Sequence, residues 1–309
     1  MSQIITITLN PSLDKSITVP QLVPEKKLRC TSAEVDPGGG GVNVSRALHK
    51  LGVKSSAVFL SGGYTGKKLE ELLLNEEVDI IALPIKEATR ENFVVFDEEK
   101  KLQYRFGMDG AAVTEAEWKA VLNYVSEQTA VSYIVASGSL PPGVPVNFFG
   151  QLAVLAKKIK AKLIVDTSGE ALQFAAKEGL YMLKPNLNEL SSLTGKDNLV
   201  GEEIVAAART VISSGGCEIM VVSLGGDGAM LVTAEEQYKV KPPKVTVMST
   251  VGAGDSMVGG ILYALFKGWT YKEILMYGVA AGTAATLHPG TELCKKEDTE
   301  RIFASLKQE

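Results

Sequence analysis

The sequence predicts an α/β fold, a mostly parallel sheet covered by helices on both faces. Three observations carry this. Short apolar runs rich in β-branched residues alternate with helical segments along most of the 309 residues. The composition is 45% hydrophobic with 30 glycines, as expected of a globular chain with many tight turns. Two stretches, residues 16–35 and 92–108, break the rhythm by alternating like half-exposed strands.

In order, residues 1–9 alternate apolar residues with Thr and lack a basic flank or cleavage pattern. They read as a first strand over 4–9 and not as an export signal. Helical pattern follows at 42–50 and 66–75, with a strand at 56–59 between them. Further strands are expected at 132–136, 163–165, 182–183 and 219–223. Helices are expected at 146–158 and 204–213, and two more beyond Asp255. In 92–108, Leu102, Tyr104 and Phe106 share one face, with Gln103 and Arg105 on the other. In 16–35, Lys27 and Arg29 share a face, with Leu28 and Cys30 opposite. Such inserted strands look like a small sheet covering an active site, its other face buried against a second subunit. A surface ribbon with solvated charges shows the same pattern.

Composition removes several function classes. The net charge of −4 argues against nucleic-acid or membrane-surface binding. Cys30, Cys217 and Cys294 are scattered and lack metal-ligand spacing, which suits a reducing cytoplasm. No apolar run reaches membrane-spanning length. With His49 and His288 the only histidines and no Gly-x-Ser-x-Gly, a Ser–His–Asp hydrolase is disfavoured.

The most informative segment is Ser249-Thr-Val-Gly-Ala-Gly-Asp-Ser256 before an apolar helical stretch. Gly252, Ala253 and Gly254 allow close approach to a ligand, and the free amides of the following helix make an anion site. Asp255 places a carboxylate in that positive pocket, where it would repel a bound phosphate. It makes sense there as a base taking a proton from an attacking hydroxyl. An Asp N-capping a buried helix is the competing reading.

The other segments are each weaker alone. Gly38-Gly-Gly-Gly-Val-Asn43 offers close backbone approach and one amide, as a sugar-binding wall or a plain tight turn. It lacks the Gly-Lys-Ser/Thr of a P-loop, as does the run from Gly62 to Lys68. Lys184-Pro-Asn-Leu-Asn-Glu189 sets Asn186 and Glu189 one helical turn apart, suited to Mg²⁺ through waters or to a helix cap, with Lys184 in reach of a phosphate. Ser223, Gly225 and Gly228 lie where a strand runs into a glycine turn, suited to a nucleotide across the sheet's carboxyl end. Ser139 follows another strand, in a turn that could meet a substrate.

These segments, in this order, resemble the PfkB (ribokinase-like) family of carbohydrate kinases. Gly39, Gly40, Gly41, Asn43, Ser45, Gly52 and Gly62 match its first motif, and residues 249–262 match its second without a gap. The stretches Asn10-Pro-Ser-Leu-Asp14, Lys27-Leu-Arg-Cys-Thr31 and Tyr104-Arg-Phe106 are most similar to its phosphofructokinase branch. The resemblance implies a three-layer α/β/α sandwich with a small β-sheet lid. The core would comprise residues 1–12, 36–88 and 110–309; the lid, residues 13–35 and 89–109, would form a homodimer interface. It implies Asp255 as general base, with Gly252, Ala253 and Gly254 as the anion hole. Asn186 and Glu189 would organise Mg²⁺, and Lys184 would bridge phosphates. Asp14, Gly39, Asn43 and Ser139 would hold a sugar, and Lys27, Arg29, Arg90 and Arg105 its phosphate, Lys27 in the neighbouring subunit's site. Ser223, Gly225, Gly228 and Gly282 would contact ATP. The implied activity is ATP-dependent phosphorylation of fructose 6-phosphate in the cytoplasm. Fructose 1-phosphate and tagatose 6-phosphate are alternative substrates, and a non-catalytic sugar sensor is a more distant reading. Some relatives bind a monovalent cation near residues 285–292. Here His288 and Glu292 stand in place of the Asn and Arg expected, and a K⁺ site is an expectation from the resemblance alone.

Overall fold

A computed structural model describes residues 3–308; Met1 and Ser2, in the N-terminal stretch 1–9, and Glu309 lie outside the described residues. The chain runs β1 (Ile4–Thr8), β2 (Ser12–Val19), β3 (Glu34–Gly38), α1 (Gly40–Lys50), β4 (Ser56–Ser61), α2 (Gly63–Asn75) and β5 (Asp79–Pro84). It continues through β6 (Arg90–Asp97), β7 (Leu102–Phe106), α3 (Glu115–Ser126), β8 (Tyr133–Ser137), α4 (Phe148–Lys158), β9 (Lys162–Asp166) and α5 (Gly169–Ala175). Then come β10 (Leu180–Leu183), α6 (Leu187–Thr194), α7 (Glu202–Ser213), β11 (Cys217–Ser223), a 3₁₀ turn (Gly225–Asp227), β12 (Ala229–Val232) and β13 (Gln237–Val240). Three helices finish it, α8 (Ala253–Phe266), α9 (Tyr271–Ala285) and α10 (Lys296–Leu306), one more than the sequence pattern predicts.

The large sheet has nine strands in the order β13-β12-β11-β10-β9-β8-β1-β4-β5. It is parallel from β11 to β5, and β12 and β13 join antiparallel. Side-chain alternation divides its strands between two cores. Ile5, Ile7, Ile134, Leu163 and Val165 face Trp118, Phe148, Leu172 and Ile204 of one helical layer. Ile4, Val135 and Ile164 face Val44, Leu48, Val258 and Tyr277 of the other. This is the three-layer sandwich expected.

The small sheet, in the order β3-β2-β6-β7, has β2 parallel to β6 between two antiparallel edges. The hairpin of β6 and β7 occurs where the alternation in 92–108 predicts strands. Residues 16–35 do not form one ribbon. Pro20 and Pro24 cannot donate to a ladder, and residues 20–33 are turn and coil. Lys27 and Arg29, expected on one strand face, therefore lie exposed outside both sheets.

Candidate active site

Strands β1, β8, β9, β10 and β11 are neighbours in the large sheet, so the residues at or just past their carboxyl ends form one row. That row contains Asn10, Ser139, Asp166, Lys184 and Ser223. Helix α8 faces it. Its N-cap, Gly252, has φ 73° and no side-chain cap, and the first turn contains Asp255. A Cβ at Gly252 would lie 2.6 Å from Leu293 Cδ2, so both the left-handed backbone and the packing require glycine. The first intrahelical bond runs from Ser256 N to Gly252 O, which leaves the amides of Ala253, Gly254 and Asp255 without a partner in the helix.

Asp255 is not the cap. Its Oδ2 accepts a 2.9 Å hydrogen bond from Asn43 Nδ2 in α1, which begins at the glycine run. Burial pushes its carboxyl from 3.8 up to about 6, aided by Asp166 and Asp14 and opposed by Asn43 and Lys184. A helix N-terminus favours the ionised form, so here desolvation is the larger influence. A carboxylate poised near 6 is mostly ionised at neutral pH and still basic enough to accept a proton.

Lys184 is 7% exposed, and its Nζ lies 3.1 Å from Asp166 Oδ1. Burial alone would lower its pKa, but Asp166, with Asp255 and Glu189 behind it, raises it above the ordinary lysine value. The ammonium is 3.9 Å from where a Cβ on Gly254 would stand, so it borders the free amides of α8. Sequence reasoning missed Asp166. Its signal was an acid directly after the apolar run 163–165.

Asn186 and Glu189 form a reciprocal capping box on α6. Glu189 N donates to Asn186 Oδ1 at 2.9 Å, and Asn186 N donates to Glu189 Oε2 at 2.7 Å. The cap reading of this pair is thus realised, and it engages only Oε2 of the Glu189 carboxylate. Burial, with Asp166 nearby, raises the Glu189 pKa despite that bond. Asp166, Glu189 and Asp255 surround one ammonium, an excess of negative charge that suits a divalent cation. Among the described residues no group of three or more His, Cys, Asp or Glu could hold a metal alone. The donors therefore fit Mg²⁺ that keeps waters and shares a substrate's phosphates, and not an all-protein cage.

The small sheet supplies the opposite wall. Asp14 in β2 accepts from Ser12 Oγ at 2.7 Å and from Asn92 Nδ2 at 2.9 Å. Arg90 donates to Met108 O at 2.8 Å and Asn10 O at 2.9 Å, and its Nε has no partner. Asn10 in turn donates to Ser139 Oγ at 3.0 Å. Arg105 in β7 reaches Thr250 Oγ1 at 2.9 Å, joining the small sheet to the loop before α8. Gly39 has φ 110°, and a Cβ there would lie 2.7 Å from Thr8 Cγ2.

Ser223 sits on the far side of Lys184. Its backbone N donates to Pro185 O at 3.0 Å, and the exposed Gly225 follows. Gly228 is buried under β13, with φ 89°. Gly282 is not on an open surface. It is buried in α9, where a Cβ would meet Ala253 O at 3.1 Å, so it sets the approach of α9 to the first turn of α8. Lys27 and Arg29 make no described contact with the site residues. His288 pairs with Asp298 at 3.0 Å, and Glu292 with Lys295 at 3.1 Å, near Gly290 O, which accepts from Ser249.

The family model for pfkB family carbohydrate kinases matches residues 7–298. The chain is 44% identical to the ATP-dependent 6-phosphofructokinase isozyme 2 of Escherichia coli (strain K12), over 99% of each. A crystal structure of phosphofructokinase-2 from Escherichia coli in complex with potassium superposes with a TM-score of 0.96 at 44% identity, covering 99% of this chain and 100% of that one. One in complex with fructose-6-phosphate superposes with a TM-score of 0.94 at 43% identity, over 99% and 100%.

Proposed function

The chain belongs to the pfkB family of carbohydrate kinases, and we propose that it transfers the γ-phosphoryl group of ATP to the 1-hydroxyl of fructose 6-phosphate. The observation that carries this is one juxtaposition. Asp255 stands among the free amides at the start of α8, beside the Lys184 ammonium. Arg105 arches over the same helix start from the small sheet.

Asp255 takes the proton from the sugar hydroxyl as that oxygen attacks phosphorus, and the bond to the ADP oxygen breaks. The amides of Ala253, Gly254 and Asp255 receive the charge that develops on the phosphoryl oxygens, with Gly252 allowing their approach. Lys184 spans the phosphates of the donor. Mg²⁺, held through water by Asn186 and Glu189 with Asp166 adjacent, would neutralise phosphate charge. Ser223 and Gly225 line the place for the nucleotide, and Gly228 shapes the turn that holds them. Asp14, Gly39, Asn43 and Ser139 hold the sugar, and Arg90 and Arg105 hold its phosphate.

The relative named for 6-phosphofructokinase activity supports fructose 6-phosphate over fructose 1-phosphate or tagatose 6-phosphate. Pairing of the small sheets in a homodimer would bring Lys27 and Arg29 to a neighbouring site, consistent with their exposure here. The potassium complex of the relative supports a K⁺ site near residues 285–292. Among the described residues no helix is long and apolar enough to cross a membrane, which is consistent with a place in the cytoplasm.

The direct test compares kcat/KM for the three ketose phosphates with MgATP. A clear preference for fructose 6-phosphate is expected. Preference for another would keep the mechanism and change the substrate, and no turnover with any would overturn the reading. Arg105→Ala should raise the sugar-phosphate KM ~10-fold, the scale of one lost hydrogen bond between charged groups, with a smaller effect on the ATP KM. Equal effects on both constants would remove Arg105 from the sugar site.

A further inference from the structure

We propose that Arg46 is a positioning residue for the proton-accepting carboxylate. Its guanidinium, anchored on Glu76, fixes the Asn43 amide with Nδ2 turned toward Asp255. The inference rests on reading Asp255 as the base.

Arg46 is 3% exposed, and no step of the mechanism above uses it. It follows Asn43 by three residues, so the two share a face of α1. Its Nε and NH2 grip both oxygens of Glu76, at 2.8 and 2.6 Å. Its NH1 donates to Pro37 O at 2.9 Å and to Asn43 Oδ1 at 3.3 Å. Asp36 is the other facing acid, at 3.9 Å. The bidentate grip prevents the fork from turning, and NH1 then presents a donor to one end of the Asn43 amide.

The two ends of an amide have nearly the same shape, so packing alone selects between them poorly. Charge selects here. In the observed orientation Oδ1 meets the guanidinium and Nδ2 meets the Asp255 carboxylate. Turned over, the oxygen would face a carboxylate and the NH₂ would face a cation, unfavourable at both ends. Arg46 thereby keeps a donor on Asp255 without touching it. Lys184, Asp166 and Asp14 are the charged groups acting on Asp255 directly, and none of them contacts this amide. Lysine could not replace the fork, since one ammonium cannot serve Glu76 bidentately and also reach Asn43.

Two variants test this. Arg46→Lys keeps the cation and loses the fork. Glu76→Gln sits at the partly exposed end of α2 and weakens only the anchor. In Arg46→Lys, kcat should fall ~10-fold, the scale of one charge-assisted hydrogen bond, with both KM values nearly unchanged. The acid limb of kcat/KM should move to higher pH, because an undirected amide no longer favours the Asp255 anion. Glu76→Gln should move both readouts the same way by less. A purely structural role would lower Tm and leave the acid limb in place, and that result would overturn the proposal. If Arg46→Lys does not fold, an unchanged kcat and acid limb in Glu76→Gln overturns it. A parent chain inactive on all three sugar phosphates would count against the functional reading instead. Carbon-13 NMR titration of the Asp255 carboxyl then decides, since it needs no turnover. A titration midpoint that does not rise in the folded variant overturns the role of Arg46.

Discussion

Asp255→Asn is expected to lower turnover by ~10²–10⁴-fold, the range for loss of a positioned base, while MgATP binding stays close to that of the parent. Isothermal titration of MgATP and a steady-state assay read the two halves separately. Asparagine can still accept from Asn43 Nδ2, and it leaves the α8 amides and Lys184 in place. What disappears is the site for the proton. The same residue sets the pH response. With a carboxyl raised to about 6, kcat/KM should decline as pH falls through that value. For stability the sign is opposite to that of an ordinary carboxylate. A folded-state value above the unfolded one means that the native state binds the proton more tightly. Stability contributed by this group is therefore present below the unfolded 3.8 and is lost as pH rises to about 6. Above that, keeping the half-buried, poorly hydrated anion costs up to about 3 kcal/mol. Asp255→Asn should accordingly raise Tm by several degrees at pH 8, with the gain shrinking toward pH 4. Turnover near the parent's would remove Asp255 as base, and a Tm gain independent of pH would mean that its ionisation is not strained.

The parts legible in the sequence are those that local spacing determines. Gly252 and Asp255 are neighbours along the chain, and the capping box of Asn186 and Glu189 spans one helical turn, so pattern alone placed them. The row of residues at the strand ends follows from the parallel-sheet reading. Contacts between remote segments were not legible. Asn43 and Asp255 are separated by 212 positions, and nothing in either segment announces that an amide of α1 meets the first turn of α8. Asp166 was missed because a single acid after a short strand resembles any turn acid until β10 brings Lys184 beside it. The strand expected at Lys27 and Arg29 failed for a local reason: alternation suggested one, but Pro20 and Pro24 end the ladder. The packing of α9 on α8 at Gly282 was likewise not legible, because a glycine inside a helical pattern does not say which helix crosses it.

Lys184→Met should weaken both the site and the fold, and the order of the two effects is informative. The ammonium answers Asp166 at 3.1 Å and lies within the influence of Asp255 and Glu189. A methionine has similar length but leaves those carboxylates without their cation. Breaking such a pair from one side costs on the order of 3 kcal/mol, because the remaining charge stays poorly hydrated. Asp166 keeps some solvent access, with 17% side-chain exposure, which limits the loss and should let the variant fold. Urea unfolding should show the midpoint lowered at pH 8 and partly recovered at pH 5, where Asp255 and Glu189, both raised by burial, can take up protons. In the active site the same loss removes the charge proposed to span the donor's phosphates, so the MgATP KM should rise ~10-fold or more, as for a lost charge-assisted contact. Asp255 would also lose a group that lowers its pKa, so the acid limb of kcat/KM should move up in pH. A destabilised variant with an unchanged MgATP KM would make Lys184 a structural partner of Asp166 alone. An unchanged acid limb would mean that the ammonium is too well screened to act on the base.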